Sequence, residues 1–246
     1  MMPENKNRTG ARFVTRALTA FIALTVLGSG SAMAQQVRYS WLDLSYMGQD
    51  IGRSGSLMPS PGQTVDIDGK DGDGVRFRGS FGTWNNFYIW VDYGSTDIDM
   101  DFVVTSPTTV ETGSDEFDYT DIRGGIGLKW SVGFTTDLYA ELAYESIDFD
   151  LGELVPGANF DTDNQDIGGS LGVRYMMTDD LELRAFGRYS NHADVDLTTG
   201  EFDSGSTYGA GLSWQFVRGL SLVADYEGGE FTRWSLGFRL DLDEDQ

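Results

Sequence analysis

The chain has 246 residues, no cysteine, one histidine, and 17 basic against 39 acidic residues, for a net charge of −22. Without cysteine there is no disulfide framework and no thiolate chemistry. The acidic balance argues against nucleic acid as a partner and against adsorption to anionic lipid through a basic patch.

The first 34 residues differ from the rest. A basic start (Lys6, Arg8, Arg12, Arg16) leads into the apolar run ALTAFIALTVLG and then small residues ending Ala32-Met33-Ala34. This is the pattern of a secretory signal peptide, residues 1–34, with an A-x-A cleavage site. The apolar run is too short to anchor comfortably as a spanning helix, and no cysteine follows the site to carry a lipid. Removing the four basic residues and Glu4 leaves 13 basic against 38 acidic residues, a net charge of about −25. Beyond this segment no apolar run approaches 18 residues, so no transmembrane helix is expected.

From residue 37 onward the side chains alternate between apolar and polar, the period of a strand. Ten strands are predicted, at 37–49, 73–82, 87–98, 118–131, 137–148, 166–177, 181–192, 206–217, 220–228 and 231–242. Each has about the length a tilted strand needs to cross a bilayer, roughly 9 to 11 residues. The connections alternate strictly. Short ones fall at 83–86, near 135–137, at 178–180 and at 218–219; long acidic ones fall at 48–72, 99–117, 149–165 and 193–205, with a brief fifth at 228–230. In an up-and-down barrel all the short turns then lie at one end and all the long loops at the other.

Aromatic residues mark both ends of the apolar face. Tyr46, Tyr93, Tyr144, Tyr189, Tyr226 and Trp234 fall at one height, and Phe81, Trp130, Tyr175 and Phe216 at the other. Two such girdles around a band of Leu, Ile, Val, Ala and Gly fit the headgroup levels of a membrane. The opposite face carries Arg76, Arg78, Arg123, Lys129, Arg174, Arg184, Arg188, Arg233 and Arg239 with Asp43, Asp92, Asp121, Glu141, Glu145, Glu182, Asp225, Glu227 and Asp241. Nine cations face nine carboxylates, the balance a narrow interior requires, because an unpaired charge away from water is costly. The expected fold is a single all-β, up-and-down antiparallel transmembrane β-barrel over residues 35–246.

With signal peptide, alternating strands, short turns and acidic outer loops in place, the sequence resembles the small outer-membrane β-barrel proteins of Gram-negative bacteria, the OmpA-like and opacity-protein class. The resemblance is architectural and rests on no short motif. It implies a barrel in the cell outer membrane with periplasmic turns and extracellular loops, contact with outer-membrane lipid and lipopolysaccharide, and delivery to the barrel-assembly machinery. Two departures stand out. Small barrels of this class mostly have eight strands, which makes eight the alternative to the ten counted here. Many end on an aromatic residue, whereas this chain runs Phe238-Arg239-Leu240-Asp241-Leu242 and then Asp-Glu-Asp-Gln. The peptidoglycan-binding domain of some relatives is not expected.

No cofactor motif and no catalytic set are expected. His192, near Ser190 and Asp194, is the one residue that could join a hydrolase at the barrel rim, as in outer-membrane proteases and lipid A deacylases. Asp66, Asp68, Asp71 and Asp73 in the first loop and Asp161, Asp163 and Asp166 in the third are candidate ligands for a weakly held divalent ion, although neither run has the EF-hand spacing. Asp97, Asp99 and Asp101 continue the lipid-facing register beyond the aromatic height, where they could bridge through Mg²⁺ or Ca²⁺ to lipopolysaccharide phosphates. The leading functional expectation is a non-enzymatic barrel with an ion-pair-filled lumen, acting in envelope structure or surface interaction. A narrow porin-like channel for ions or small solutes is the alternative, with the rim hydrolase and a soluble secreted barrel behind it.

Overall fold

The computed structural model describes residues 37–52, 54–83, 86–150, 161–196, 201–229 and 232–242; the expected signal peptide lies outside them. Eleven strands form one antiparallel sheet: β1 Trp41–Asp50, β2 Ser54–Ser60, β3 Gln63–Gly82, β4 Phe87–Thr105, β5 Val110–Ser131, β6 Thr136–Asp150, β7 Asp161–Thr178, β8 Leu181–Asp196, β9 Glu201–Val217, β10 Leu220–Gly228 and β11 Thr232–Asp241. Each strand pairs with its neighbours in sequence, and β1 pairs with both β11 and β3. The sheet is therefore a closed barrel of ten strands, with β2 pairing only β3 in the line where β1 stops. Closure satisfies the backbone without leaving an edge in the barrel wall, which is what crossing a bilayer demands.

The strand positions follow the alternation, but the long connections are mostly not loops. β3 begins at Gln63, β4 runs on to Thr105 and β5 starts at Val110, so these stretches project as hairpins above the barrel. The reason is that the period of two continues through the acid-rich segments. Val65 and Ile67 are buried while Asp66 and Asp68 between them are exposed, and Ile98 and Met100 are buried while Asp97 and Asp99 are exposed. Ile51, Val65, Ile67, Ile98, Met100, Phe117, Tyr119 and Ile147 pack into an apolar core inside this extension. The short connections stay tight; in the β10 turn Gly219 has φ +75°, a conformation open to glycine at little cost.

Burial is inverted relative to a soluble sheet. Leu171 is 68% and Ile167 57% exposed, while Arg78 and Asp43 are almost wholly buried. Ile122, Ile126, Leu138, Leu142, Leu212 and Leu236 join the outward apolar band. At one end of the band Tyr46 packs on Trp234 with ring centroids 5.7 Å apart. At the other, Phe216 packs on Trp214 and on Phe238 at 6.1 and 6.4 Å. An outer face this apolar is stable only against hydrocarbon, and rings at its two rims match the two interfaces of a membrane.

Candidate functional site in the filled lumen and the acidic rim

The inward residues form three layers. Nearest the short turns, Val37, Tyr39, Tyr88, Tyr139 and Met176 make an apolar plug. Tyr39 and Tyr88 pack with ring centroids 4.7 Å apart and planes tilted by 46°, and Lys129 and Arg174 lie over the Tyr39 ring at 4.4 and 4.5 Å. Such contacts let a cation approach an aromatic floor in place of water. The fit depends on missing side chains: a Cβ at Gly127 would lie 2.1 Å from the Tyr88 ring, and one at Gly172 2.4 Å from the Tyr139 ring.

Above this floor lies the ionic layer. Register places Arg239, Asp43, Arg78, Asp92, Arg123 and Glu145 as successive cross-strand partners on β11, β1, β3, β4, β5 and β6. Charges therefore alternate in sign around more than half the barrel. Arg78 reaches Asp43 at 2.6 Å and also binds Asp225, which accepts from Arg184 at 2.6 Å. Arg76 donates through Nε to Asp92 at 2.8 Å. Arg123 pairs with Asp121 at 2.9 Å, and Arg233 pairs with the same carboxylate at 3.1 Å while donating to Gln49. Arg188 binds Glu227, and Ser190 donates to Glu145. Glu141 accepts from the Tyr88 hydroxyl at 2.8 Å and from Ser170 at 2.5 Å. Arg174 and Glu182 form a two-pronged pair. Pairing of this kind offsets the desolvation of charges held away from bulk water.

The third layer is the apolar core of the hairpins, which caps the lumen beyond Tyr119 and Ile147. Free space inside is small. A central cavity of about 70 Å³ has Arg123 and Arg188 in common with a cavity of about 40 Å³ toward the outer end. It has Glu182 and Arg239 in common with one of about 30 Å³ toward the short turns.

The predicted lumen charges Arg76, Arg78, Arg123, Lys129, Glu141, Glu145, Arg174, Glu182, Arg184, Arg188, Asp225, Arg233 and Arg239, and with them Asp43, Asp92, Asp121, Glu227 and Asp241, are buried or half-buried. The structure adds an aromatic floor and the buried Asp137 to the predicted set. The sequence signal for the floor is that Tyr88 and Tyr139 share the register of the inward charges.

On the outer wall, acids meet across strands. Asp97 lies opposite Asp73 on one side and Asp118 on the other, Asp118 lies opposite Asp150, and Asp99 lies opposite Glu116. Partial burial pushes the Asp97 carboxyl above its usual range, as do a hydrogen bond with Asp118 and the charges of Asp118, Glu116 and Asp73. Lys70 answers part of this charge by pairing with Asp101. Asp66, Asp68, Asp71 and Asp73 are exposed along β3, and Asp66 accepts from Ser56. Among the described residues, no three His, Cys, Asp or Glu converge to hold a metal. The side chains of Asp161, Asp163 and His192 lie outside those described, and Asp166 is half-buried on β7.

No protein-family model matches the sequence, and no curated protein matches it. Among solved structures, the chain is similar to the β domain of the Bordetella autotransporter BrkA, with 11% identity over 83% of this chain and 99% of that one and a TM-score of 0.44. It is similar to the translocator domain of the autotransporter NalP from Neisseria meningitidis, with 14% identity over 94% and 96% of the two chains and a TM-score of 0.40. It is also similar to the outer membrane protein OprG from Pseudomonas aeruginosa, with 11% identity over 86% and 100% and a TM-score of 0.43. Closure, the apolar belt with its two aromatic rims and the inward charges together define the class: the chain is a closed antiparallel β-barrel of ten strands, of the membrane-spanning kind.

Proposed function

We propose that the protein is a closed, non-enzymatic barrel that serves envelope structure or surface interaction by holding an acidic β-sheet rim above the outer leaflet. The observation that carries this reading is the lumen: among the described residues, plug, alternating ion pairs and apolar cap divide the interior into cavities such as those of about 70, 40 and 30 Å³. A barrel of eight to ten strands sits near the size at which side chains fill the interior. The exposed row of Asp97, Asp99 and their cross-strand acids supports contact with lipopolysaccharide phosphates through Mg²⁺ or Ca²⁺. Removal of residues 1–34 on export belongs to the same reading, and N-terminal sequencing of the mature protein should begin at Gln35.

The test is recording in planar bilayers after heat-modifiable migration has shown the barrel folded. Electrical silence is expected. Discrete conductance steps that change with Arg184→Ala or Glu141→Ala would overturn it in favour of a narrow channel. That second reading draws on the three lumen cavities, which share wall residues in series.

A further inference from the structure

The barrel wall has no edge, but the rim above it does. β5 pairs with β4 in one unshifted register from Leu128 opposite Phe87 up to Val110 opposite Thr105. On its other side it meets β6 only from Asp118 downward, where Asp118 lies opposite Asp150. Among the described residues, Val110–Glu116 therefore pair on one side only. The open backbone groups can be assigned from the turns. Ser106 N–H donates to the Thr109 carbonyl and Lys129 N–H to the Asn86 carbonyl, both on the β4 side, whereas Val132 N–H donates to Thr136 on the β6 side. Hydrogen-bonding direction alternates along an antiparallel strand, so odd-numbered residues of β5 face β4 and even-numbered ones face away. Val110, Thr112, Ser114 and Glu116 accordingly turn their N–H and C=O groups away from β4, with no strand among the described residues to receive them.

Native sheets blunt an edge of this kind with proline, a bulge or lysine. β2, which also pairs on one side only, follows that rule: it carries Pro59 and a bulge between Leu57 and Ser60. β5 has none of the three between Val110 and Glu116. Acids stand there instead. Glu111, Asp115 and Glu116 are exposed, and because side chains alternate, Glu116 lies on one face of the sheet and Glu111 and Asp115 on the other. No Lys or Arg answers them from the neighbouring strand or from the same one, since β4 has neither residue and β5 has neither before Arg123. The edge is thus open in its backbone and negative on both faces.

We propose that the β5 edge is a docking site for an extended polypeptide segment rich in lysine or arginine, which joins the rim sheet as an added strand. Its backbone bonds to Val110, Thr112, Ser114 and Glu116, and its basic side chains lie beside Glu111 and Asp115 on one face and Glu116 on the other. In strand addition the main-chain bonds supply affinity and the alternating side chains supply selectivity. A second copy of this chain is a poor occupant: antiparallel pairing of two β5 edges about Gly113 would set Glu111 opposite Asp115, and like charges directly opposed destabilise a sheet. The inference rests on the surface-interaction reading above and gives that reading a partner class.

The experiment uses the folded mature barrel in detergent micelles, and the probe is a short synthetic peptide that alternates lysine with valine. One control peptide has glutamate in place of lysine; another carries N-methyl groups on alternate amides, which keeps the charge and blocks strand pairing. Binding is read by fluorescence anisotropy and the edge by amide hydrogen exchange. The lysine peptide should bind saturably, both controls several-fold more weakly, and exchange at Thr112, Ser114 and Glu116 should slow when the lysine peptide is present. Ser114→Pro deletes an outward N–H without removing a bond to β4, and should weaken binding several-fold in a barrel that still shows heat-modifiable migration. Glu111→Gln with Asp115→Asn should weaken it several-fold and flatten its dependence on salt. Equal binding of the lysine peptide and its N-methylated form would mean that charge alone holds the peptide, and overturns strand addition. Equal binding of the glutamate peptide, no binding at all, unchanged affinity in both variants, or edge amides already protected in the peptide-free barrel overturn it as well. Conductance in planar bilayers reads closure of the lumen separately, so the proposed function and the docking edge can fail independently.

Discussion

Arg174 holds Glu182 through both arms of its guanidinium, Nε at 2.8 Å and Nη2 at 2.7 Å, across the turn that joins β7 to β8. Both side chains are buried, with Tyr39 packed on the other face of the arginine. Cutting one partner leaves the other charge buried and uncompensated. Arg174→Ala should therefore cost about 3–5 kcal/mol, measured by urea unfolding from lipid vesicles. The double replacement Arg174→Met with Glu182→Leu should recover most of that loss, because an apolar pair of similar volume removes both desolvation costs. If the double variant were as unstable as the single one, the pair would not be the source of the effect.

Leu171 and Met177 lie on the same outward face of β7, the first toward the middle of the apolar band and the second beside the short turn. A charged side chain on the lipid face is costly at the midplane and cheap at the interface. Leu171→Arg should cost about 2–4 kcal/mol and Met177→Arg about 0–1 kcal/mol, compared through the folded fraction on a heat-modifiability gel and then by unfolding. Equal costs would mean that β7 does not cross hydrocarbon in this orientation. Ser170 is a poor neutral control for this face, since its hydroxyl donates to Glu141 and an aspartate there would set two carboxylates together.

Orientation was legible in the sequence because a strand has a period of two and the loop lengths alternate; neither property depends on distant contacts. The hairpins above the membrane were not, because their composition imitates loops. Asp66, Asp68 and Gly69 conceal that Val65 and Ile67 keep the inward register, and β2 is hidden in a segment of serine, glycine and proline. Charge identity on the inner face was equally readable, but the row from Arg239 through Asp43, Arg78, Asp92 and Arg123 to Glu145 was not. Which charge stands opposite which is set by the stagger of ten strands on closure, a global quantity with no local signature. The aromatic floor at Tyr39, Tyr88 and Tyr139 is illegible for a different reason: in sequence each ring looks like ordinary strand filler, and only the fold sets Gly127 and Gly172 beneath two of them.

Asp97 faces Asp73 and Asp118 across the outer wall, beyond the aromatic height. Its native proton affinity is raised, so between the unfolded value near 3.9 and the raised native value the folded state binds more protons than the unfolded chain. Stability accordingly falls as pH rises through that window, and the penalty is fully present at neutral pH. Asp97→Asn should stabilise the barrel near neutral pH by about 0.2–1 kcal/mol, the scale for like charges directly opposed on a sheet. The gain should vanish once the pH drops below the ordinary aspartate range. Added Mg²⁺ should narrow the difference at neutral pH if the row binds cations, whereas a gain independent of pH would show that charge is not its cause.

Gly127 and Gly187 are both strand glycines, yet their surroundings differ completely. A methyl at Gly127 would meet the Tyr88 ring at 2.1 Å, while one at Gly187 would meet nothing within 4 Å. Tyr88 has little freedom to retreat, because its ring packs at a tilt against Tyr39 and its hydroxyl donates to Glu141. Gly127→Ala should thus destabilise by about 1–3 kcal/mol through overpacking, and Gly187→Ala should be neutral or slightly stabilising by reducing the freedom of the unfolded chain. Adding Tyr88→Ala to Gly127→Ala should make the glycine substitution nearly silent, so a double-mutant cycle by unfolding in vesicles checks the contact itself. Additive losses at the two positions would mean that the floor does not depend on this close approach.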